Sequence, residues 1–179
     1  NATGILPDVR GMHGAKANID ELATVFASKK QGGILERIPA VDFAIGDVAP
    51  GVFLIYTTEN QILKDELKYL LFGDGPNYLL YRPYHLASME VPLSVALAYF
   101  YQQATISPLD GPVSQVITVA KKDLHKGDSI DGIGGYTVYG LIEEYHTARS
   151  QDLIPLGMVE GAQLTVDVAK GQPLTSKMV

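Results

Sequence analysis

The chain has 179 residues, of which 46% are hydrophobic and 19% are charged. That length suits one compact domain or two small ones with a buried core, and the composition excludes a disordered or low-complexity protein. A net charge of −6 without a large basic region argues against nucleic acid or anionic lipid as partners. Cysteine is absent, which excludes disulfides and thiolate metal sites and fits a cytoplasmic protein.

The N-terminal segment has the character of a loop that begins inside a larger protein. Residues 1–17 are rich in glycine and contain one proline, which predicts irregular structure. The first residue is Asn1 rather than Met, and no signal peptide is recognisable. The longest apolar stretch, Val91 to Tyr101, is too short for a membrane span. We therefore expect a fragment of a larger protein that does not associate with a membrane.

The first half of the chain predicts alternating helices and strands. Asn18-x-x-Glu21 has the form of a capping box, and the apolar residues that follow at helical spacing predict a helix over about residues 19–28. Residues 41–45 and 52–57 are rich in β-branched and aromatic residues and are bounded by turn formers. These features predict two strands.

A second helix and a third strand are expected next. Thr58-x-x-Gln61 is another capping signal, and the stripe of leucines after it predicts a helix that ends at Gly73. Residues 78–81 carry two tyrosines and two leucines and predict a short strand.

A helix kinked at Pro92 is predicted to continue to Gln103. It is followed by residues 107–112, a cluster of proline and glycine that is the best domain boundary in the chain. We therefore expect residues 1–112 to form part of a catalytic or substrate domain and residues 113–179 to form a second domain.

The C-terminal region predicts a small β domain. Residues 116–120 and 164–168 predict strands, and each leads into a turn, at Gly127 and Gly171, that favours a left-handed backbone. The repetition suggests pseudo-symmetry within the domain. A short helix is predicted over residues 141–150.

The same region resembles a known module. VITVAKKDLHKGDSI, followed by LIPLGMVEGAQLTVDVAKGQPLTSKMV, is similar to the SAF (antifreeze-like) domain over roughly residues 113–179. Related modules end sialic-acid synthases and accompany sugar-acid dehydratases, and the resemblance implies a small β-clip fold. The expected fold class is therefore α/β, with a mixed α+β substrate-domain segment followed by a β-clip SAF domain.

The chain as a whole resembles one oxidoreductase family. NATG…PDVRGMHG, GPNYLLYRPYHLASMEVPLS and DGIGGYTVYG occur in the order found in a family often labelled homoserine dehydrogenase-like with a SAF domain. It includes enzymes similar in activity to 1-deoxy-D-xylulose-5-phosphate reductoisomerase. The resemblance implies an upstream Rossmann domain that binds NAD(P), a middle domain with substrate contacts, and a closing SAF domain. It also implies that this segment binds no cofactor by itself.

Asp8, Arg10 and His13 form a first candidate set for substrate binding. They lie in a glycine-flanked loop, and loops on rigid scaffolds often hold functional groups. Arg10 is suited to grip a carboxylate or phosphate with two hydrogen bonds, and His13 can exchange protons near neutral pH. The alternative is an exposed segment in which these side chains have no partner within the fragment.

Arg82, Tyr84, His85 and Glu90 form a second candidate set. Pro83 fixes the chain direction after the predicted strand, so we expect Arg82 and His85 to point into one cleft. We assign catalytic roles to Arg82, His85 and Glu90 and substrate binding to Tyr84. Such a group can bind and protonate a polyol phosphate or hydroxy acid, although the spacing does not identify the acid. The structural alternative is that Arg82 pairs with a helix carboxylate and Tyr84 packs in the core.

The sequence contains no complete nucleotide or metal motif. Gly132-Ile133-Gly134-Gly135 lacks the third spaced glycine of G-x-G-x-x-G and leads into strand-like residues, which predicts a turn. The four histidines lack ligand spacing, and the acidic residues around Asp128 lack the EF-hand order. We therefore expect neither a tightly bound dinucleotide nor a metal ion in this segment.

Three hypotheses follow for function. The leading one is the C-terminal part of an NAD(P)-dependent oxidoreductase that acts on a small sugar-phosphate or hydroxy-acid substrate and is inactive without its cofactor domain. The rival is a non-catalytic, SAF-containing module for carbohydrate binding or oligomerisation. In the third, the SAF part is the lid of a dehydratase-type enzyme. The expected partners are a small-molecule substrate, the upstream Rossmann domain and, as an open alternative, a second copy of the chain.

Overall fold

The computed structural model describes residues 1–48, 50–83, 87–109 and 111–179. It contains both helices and strands, and the strands pair into two-stranded sheets. The predicted mixed α+β fold is therefore confirmed, while the more specific β-clip assignment stays a prediction. Within the ranges that are described, no helix combines the length and the apolar character needed to cross a membrane.

The chain divides into two compact units. The continuous unit is His13–Ile106, and the discontinuous unit combines Asn1–Met12 with Ser107–Val179. The N-terminal segment belongs to the discontinuous unit partly because the side-chain oxygen of Asn1 accepts a hydrogen bond from the backbone of Val113 at 2.7 Å. The predicted division into a substrate domain and a SAF domain stays a prediction.

The continuous unit begins with a helix that is shorter than predicted. The predicted capping box forms, and the backbone N–H of Asn18 donates to Oε2 of Glu21 at 2.8 Å. A 3-10 turn at Ile19–Glu21 then leads into α1 (Leu22–Val25). The helix ends early because the backbone N–H of Ile34 bonds to the carbonyl of the last residue of α1 at 3.0 Å.

Four strands form two small sheets in this unit. They are β1 (Ala15–Lys16), β2 (Ala44–Ile45), β3 (Val52–Thr57) and β4 (Asn77–Arg82). β1 and β2 pair in parallel, and β3 and β4 pair antiparallel. The strands predicted at 52–57 and 78–81 are confirmed. The strand predicted at 41–45 is shorter, because Asp42 precedes β2 and its carboxylate binds backbone N–H groups of the neighbouring loop.

Two longer helices complete the continuous unit. α2 (Gln61–Tyr69) begins at Asn60, whose side-chain oxygen accepts hydrogen bonds from the first turn. Thr58 is therefore not the N-cap that the sequence suggested. α3 (Ala87–Tyr101) continues through Pro92, as predicted.

The core of the continuous unit lies between α1 and the β3–β4 sheet. The rings of Phe26 and Phe53 are 5.4 Å apart, and the hydroxyl of Tyr81 donates to the carbonyl of Val48 at 2.9 Å. The buried members of this core are Ala17, Leu22, Phe26, Leu35 and Val48.

The discontinuous unit is built on one antiparallel pair, β5 (Ser114–Ala120) and β6 (Val138–Glu144), followed by α4 (Tyr145–Ser150). The strand predicted at 116–120 is confirmed. The helix predicted over 141–150 is wrong in its first four residues, which belong to β6. Backbone pairing with β5 uses their hydrogen-bonding groups, so the helix cannot begin before Tyr145.

The strand predicted over residues 164–168 does not form. Alternation would bury every second residue, but Val166 is 43% exposed, whereas Leu164 and Val168 are buried. The backbone of this segment makes isolated bridges instead of a continuous ladder, as at Leu124 and Val168.

The two predicted glycine turns are confirmed. Gly127 and Gly171 have φ angles of +92° and +81°, in the left-handed region that favours glycine. Both glycines also form backbone hydrogen bonds to distant segments. The N–H of Gly127 donates to the carbonyl of Leu164 at 2.7 Å, and the N–H of Gly171 donates to the carbonyl of Ala120 at 2.9 Å. The turns thus connect the irregular C-terminal segments to the rest of the unit.

Candidate active site

The pairing of β1 with β2 brings His13 next to Asp42. The two strands run in parallel with Ala15 opposite Ala44. Continued back by two residues along each segment, the same register places His13 opposite Asp42. Nδ1 of the His13 ring lies 2.7 Å from Oδ2 of Asp42. A two-residue ladder thus joins side chains that are 29 residues apart in sequence.

The carboxylate of Asp42 is buried and surrounded by donors. Its side chain is 4% exposed, compared with 24% for that of His13. Oδ1 accepts hydrogen bonds from the backbone N–H groups of His13 at 3.0 Å, Gly14 at 3.1 Å and Phe43 at 2.8 Å. Because an ionised carboxylate only accepts hydrogen bonds, its bond to the ring requires a proton on Nδ1 of His13. The carboxylate therefore fixes both the orientation and the tautomer of the imidazole.

Gly14 lets the chain pass close to Phe43. Its φ of +59° lies in the left-handed region, and a Cβ at this position would be 2.5 Å from Cζ of Phe43. The left-handed backbone therefore favours glycine next to His13, and a larger residue there would also have to displace the Phe43 ring.

A pocket of about 230 Å³ opens beside Asp42 in the continuous unit. It is smaller than the roughly 300–1,000 Å³ that is usual for drug-sized ligands, so it suits a small molecule or part of one. Its walls are mainly apolar, and no lysine or arginine is among the described residues that line it. The lining residues are Asp42, Phe43, Ala44, Val48, Gly51, Val52 and Phe53.

Arg10 is held by protein side chains in the discontinuous unit. Its Nε donates to Oε2 of Glu143 in β6, and a terminal nitrogen donates to Oε1 of Gln151 at 2.7 Å. Glu143 is 7% exposed. The guanidinium thus anchors the N-terminal segment to β6. The alternative in which the first candidate set has no partner within the chain is wrong for Arg10 and for His13.

Asp8 and Arg10 belong to the discontinuous unit, whereas His13 is the first residue of the continuous unit. Asp8 is half-buried. Substrate binding by Asp8, Arg10 and His13 stays a prediction.

Arg82 and Glu90 from the second candidate set form an ion pair. A terminal nitrogen of Arg82, at the end of β4, bonds to Oε1 of Glu90 in α3. The two side chains are 58% and 35% exposed. This pairing with a helix carboxylate is what the structural alternative predicts, although the pair is not buried. Tyr84 and His85 lie outside the described residues, and the catalytic roles in this set stay predictions.

The glycine turn that most resembles a dinucleotide fingerprint does not fit NAD(P). Gly132 and Gly134 have φ angles of +80° and +81°, and the turn leads into β6 instead of a helix. A Cβ on Gly135 would overlap the carboxylate of Asp131, so this glycine serves a contact within the turn. A pyrophosphate site needs the N-terminus of a helix directly after the glycines. The predicted turn is thus confirmed.

Asp131 closes that turn by accepting hydrogen bonds at its carboxylate. The hydroxyl of Thr137 and the backbone N–H of Tyr136 donate to its carboxylate and lower the pKa of Asp131 to about 2. In the part of the chain that the structure describes, no group of three or more His, Asp or Glu side chains is placed to hold a metal ion.

A family model described as the catalytic domain of oxidoreductase DRL matches residues 1–91, just over half of the chain. The chain belongs to this oxidoreductase family. None of the curated proteins matches the chain. Membership in the DRL catalytic-domain family confirms the oxidoreductase part of the expected function.

The DRL match covers two side-chain pairs of the continuous unit that contain candidate site residues. His13 with Asp42 and Arg82 with Glu90 all lie within residues 1–91. The β5–β6 sheet lies beyond the matched range. The catalytic-domain match therefore coincides with the part of the chain that contains the histidine–carboxylate pair.

Sequence reasoning missed the two carboxylates that hold the first candidate set. Asp42 lies between Val41 and Phe43 in a predicted strand, where a single charged residue suggests an exposed face. Glu143 lies in a segment for which the sequence predicts a helix, so its strand position beside Arg10 could not be predicted. The order of polar and apolar residues around Asp42 contains no signal for a contact with His13, because the pairing of β1 with β2 alone creates that contact.

Proposed function

We propose that this chain contributes the substrate-binding part of the catalytic domain to an NAD(P)-dependent oxidoreductase that acts on a small sugar-phosphate or hydroxy-acid substrate. The observation that carries the proposal is the His13–Asp42 pair within the range of the DRL match. Oxidation of an alcohol or reduction of a carbonyl requires a proton to leave or reach an oxygen atom. A histidine oriented by a carboxylate is suited to that transfer.

The proposed cofactor is bound by a Rossmann domain outside this chain. The resemblance of the sequence to SAF-containing oxidoreductases supports this arrangement. The misfit of the Gly132–Gly135 turn agrees with it, because this turn continues into β6 and so cannot present a helix N-terminus to a pyrophosphate. We also propose a cytoplasmic location, because a chain without cysteine suits a reducing compartment.

Residues 113–179 are proposed to be a SAF domain of the β-clip type. The left-handed turns at Gly127 and Gly171 and the irregular bridged segments around β5 support this assignment. A second copy of the chain is also a proposed partner, in a homo-oligomer.

The candidate residues of the sequence analysis keep their proposed roles. His85, Arg82 and Glu90 are the proposed catalytic residues of the second set, and Asp8, Arg10, His13 and Tyr84 are proposed to bind substrate. Arg82 pairs with Glu90, so binding of an anionic substrate there would replace the Glu90 carboxylate with the phosphate or carboxylate of the substrate. Arg10 would have to exchange Glu143 in the same way.

The proposal is tested with the full-length protein and a panel of sugar phosphates and hydroxy acids, each with NADH, NADPH and their oxidised forms. We expect turnover of at least one compound by the full-length protein and none by the 179-residue chain alone. Turnover by the chain alone would contradict the proposed cofactor arrangement. A folded full-length protein without activity on any member would contradict the function and favour the non-catalytic, SAF-containing module.

A further inference from the structure

We propose that His13 and Asp42 form a proton-transfer dyad in which Asp42 is the positioning residue. The inference deepens the proposed function and rests on it for the identity of the reaction. Asp42 was not among the residues that the sequence nominated. The 2.7 Å bond between Nδ1 of His13 and Oδ2 of Asp42 is the observation from which the dyad follows.

The two oxygens of Asp42 have different tasks. Oδ1 accepts three backbone N–H groups, which tie the residues just before β1 to those just before β2. Oδ2 accepts the ring of His13 and a longer bond of 3.1 Å from the backbone N–H of the same residue. The backbone bonds hold this part of the chain in place, and the bond to the ring fixes how the imidazole is protonated.

The dyad transfers a proton through Nε2 of His13. With Nδ1–H bound to Asp42, Nε2 is the ring atom at which a proton is gained or lost. A protonated ring gives its Nε2 proton to an oxygen of the substrate and becomes neutral, while Nδ1 keeps its proton. In the reverse direction, Nε2 takes a proton from a substrate hydroxyl and the ring becomes positively charged. The nearby carboxylate stabilises that charge.

The tautomer of His13 is the direct test of the geometry, and it needs no substrate. Nitrogen-15 NMR of the 179-residue chain at a pH where the ring is neutral should show the proton on Nδ1 of His13. His146 is exposed and serves as the internal reference. A proton on Nε2 of His13 in the wild-type chain would overturn the proposal, whatever the behaviour of any variant.

The substitution Asp42→Asn should reverse the tautomer. Three backbone donors face Oδ1, so the amide oxygen should take that position and the amide NH2 should take the position of Oδ2. An NH2 group facing Nδ1 requires that nitrogen to accept, which moves the ring proton to Nε2. The matched control is Asp47→Asn, which changes an exposed aspartate in the same segment. An unchanged His13 tautomer in a folded Asp42→Asn protein would overturn the positioning role.

Kinetics of the full-length oxidoreductase separate positioning from a structural role. His13→Gln and Asp42→Asn should each lower kcat by at least about 100-fold, and Asp42→Asn, which keeps the imidazole, should leave KM within about twofold of wild type. The double variant should be no slower than His13→Gln, because Asp42 acts only through the ring. Multiplied effects in the double variant, or a full rate in His13→Gln, would overturn the dyad.

The outcomes for the dyad and for the proposed function are distinguishable. A His13 tautomer that depends on Asp42, in a full-length protein without oxidoreductase turnover, would contradict the function and leave the dyad geometry in place. Turnover at the full wild-type rate in His13→Gln would leave the function in place and remove the dyad.

Discussion

The two units of the molecule bury their apolar residues to different extents. In the discontinuous unit, nine buried hydrophobic residues form one cluster and four more form a second cluster with members in β5 and α4. In the continuous unit, the main cluster contains five buried residues. α2 contributes no buried residue, and none of the described side chains of α3 is buried. Leu93 in the middle of α3, for example, is 64% exposed.

This difference shows that apolar composition alone does not locate a core. α3 carries apolar residues along most of its length, yet within the continuous unit its described side chains are exposed or half-buried. The stability of this unit therefore depends on the small core around α1 and the β3–β4 sheet. The His13–Asp42 pair lies beside that core, at the start of β1 and β2.

The largest expected difference is in the free energy of unfolding, between substitution of a buried and of an exposed leucine. Leu174 is fully buried in the discontinuous unit, whereas Leu93 is 64% exposed. Leu174→Ala should lower the free energy of unfolding by about 2–5 kcal/mol, because it removes buried methyl groups and leaves a cavity. Leu93→Ala should change it by less than about 0.5 kcal/mol. Urea denaturation of both variants measures the difference, and equal losses would mean that α3 is buried in the folded chain.

The second comparison uses one glycine from each unit. Gly14→Ala combines a φ of +59° with a clash against Phe43, whereas Gly127→Ala meets open space at a φ of +92°. Gly127→Ala should cost roughly 1–2 kcal/mol for the left-handed backbone alone. Gly14→Ala should cost more and should also disturb the His13 ring. Thermal unfolding and the His13 NMR signals report the two effects, and an undisturbed His13 signal in Gly14→Ala would contradict the tight packing of this loop.

Arg82→Lys separates the two interpretations of the exposed ion pair. If Arg82 binds an anionic substrate group, lysine keeps the charge but loses the planar geometry with two donors. kcat/KM of the full-length enzyme should then fall at least tenfold, or about 1.4 kcal/mol, while the melting temperature barely changes. Unchanged kinetics with a clear loss of stability would show that the pair with Glu90 is structural and would remove Arg82 from the site.

The smallest expected effect concerns the acid stability of the discontinuous unit. The Thr137 hydroxyl lowers the pKa of Asp131 from 3.8 to about 2, so the folded state favours the ionised carboxylate. This contribution is present above about pH 4 and is lost as the pH falls toward about 2. The difference in melting temperature between wild type and Asp131→Asn should therefore be largest above about pH 4 and shrink below it. A difference that stays constant from about pH 5 to about pH 2 would contradict the assigned pKa.

Much of the local structure could be predicted from the sequence. The β3, β4 and β5 strands follow from runs of β-branched and aromatic residues, and the capping box at Asn18 follows from the residue types that satisfy free N–H groups. The glycine turns follow from the need for a left-handed backbone at Gly127 and Gly171. In each case the physical cause lies within a few residues.

The parts that could not be predicted depend on contacts between distant segments. The α1 helix ends early because Ile34 returns to bond its last carbonyl, and the segment before α4 is a strand because β5 pairs with it. The partners of His13 and Arg10 are set in the same way, by the β1–β2 pairing and by the docking of the N-terminal segment on β6. Local residue preferences do not encode these pairings, so the sequence nominated the histidine and the arginine but not their carboxylates.

The central claim is that oxidoreductase chemistry depends on His13 in the continuous unit. The most direct test is the rate of hydride transfer by full-length His13→Gln compared with His146→Gln, which removes an exposed histidine of the discontinuous unit. We expect His13→Gln to lower kcat by at least about 100-fold and His146→Gln to leave it within about twofold of wild type. Equal rates in the two variants would contradict the account.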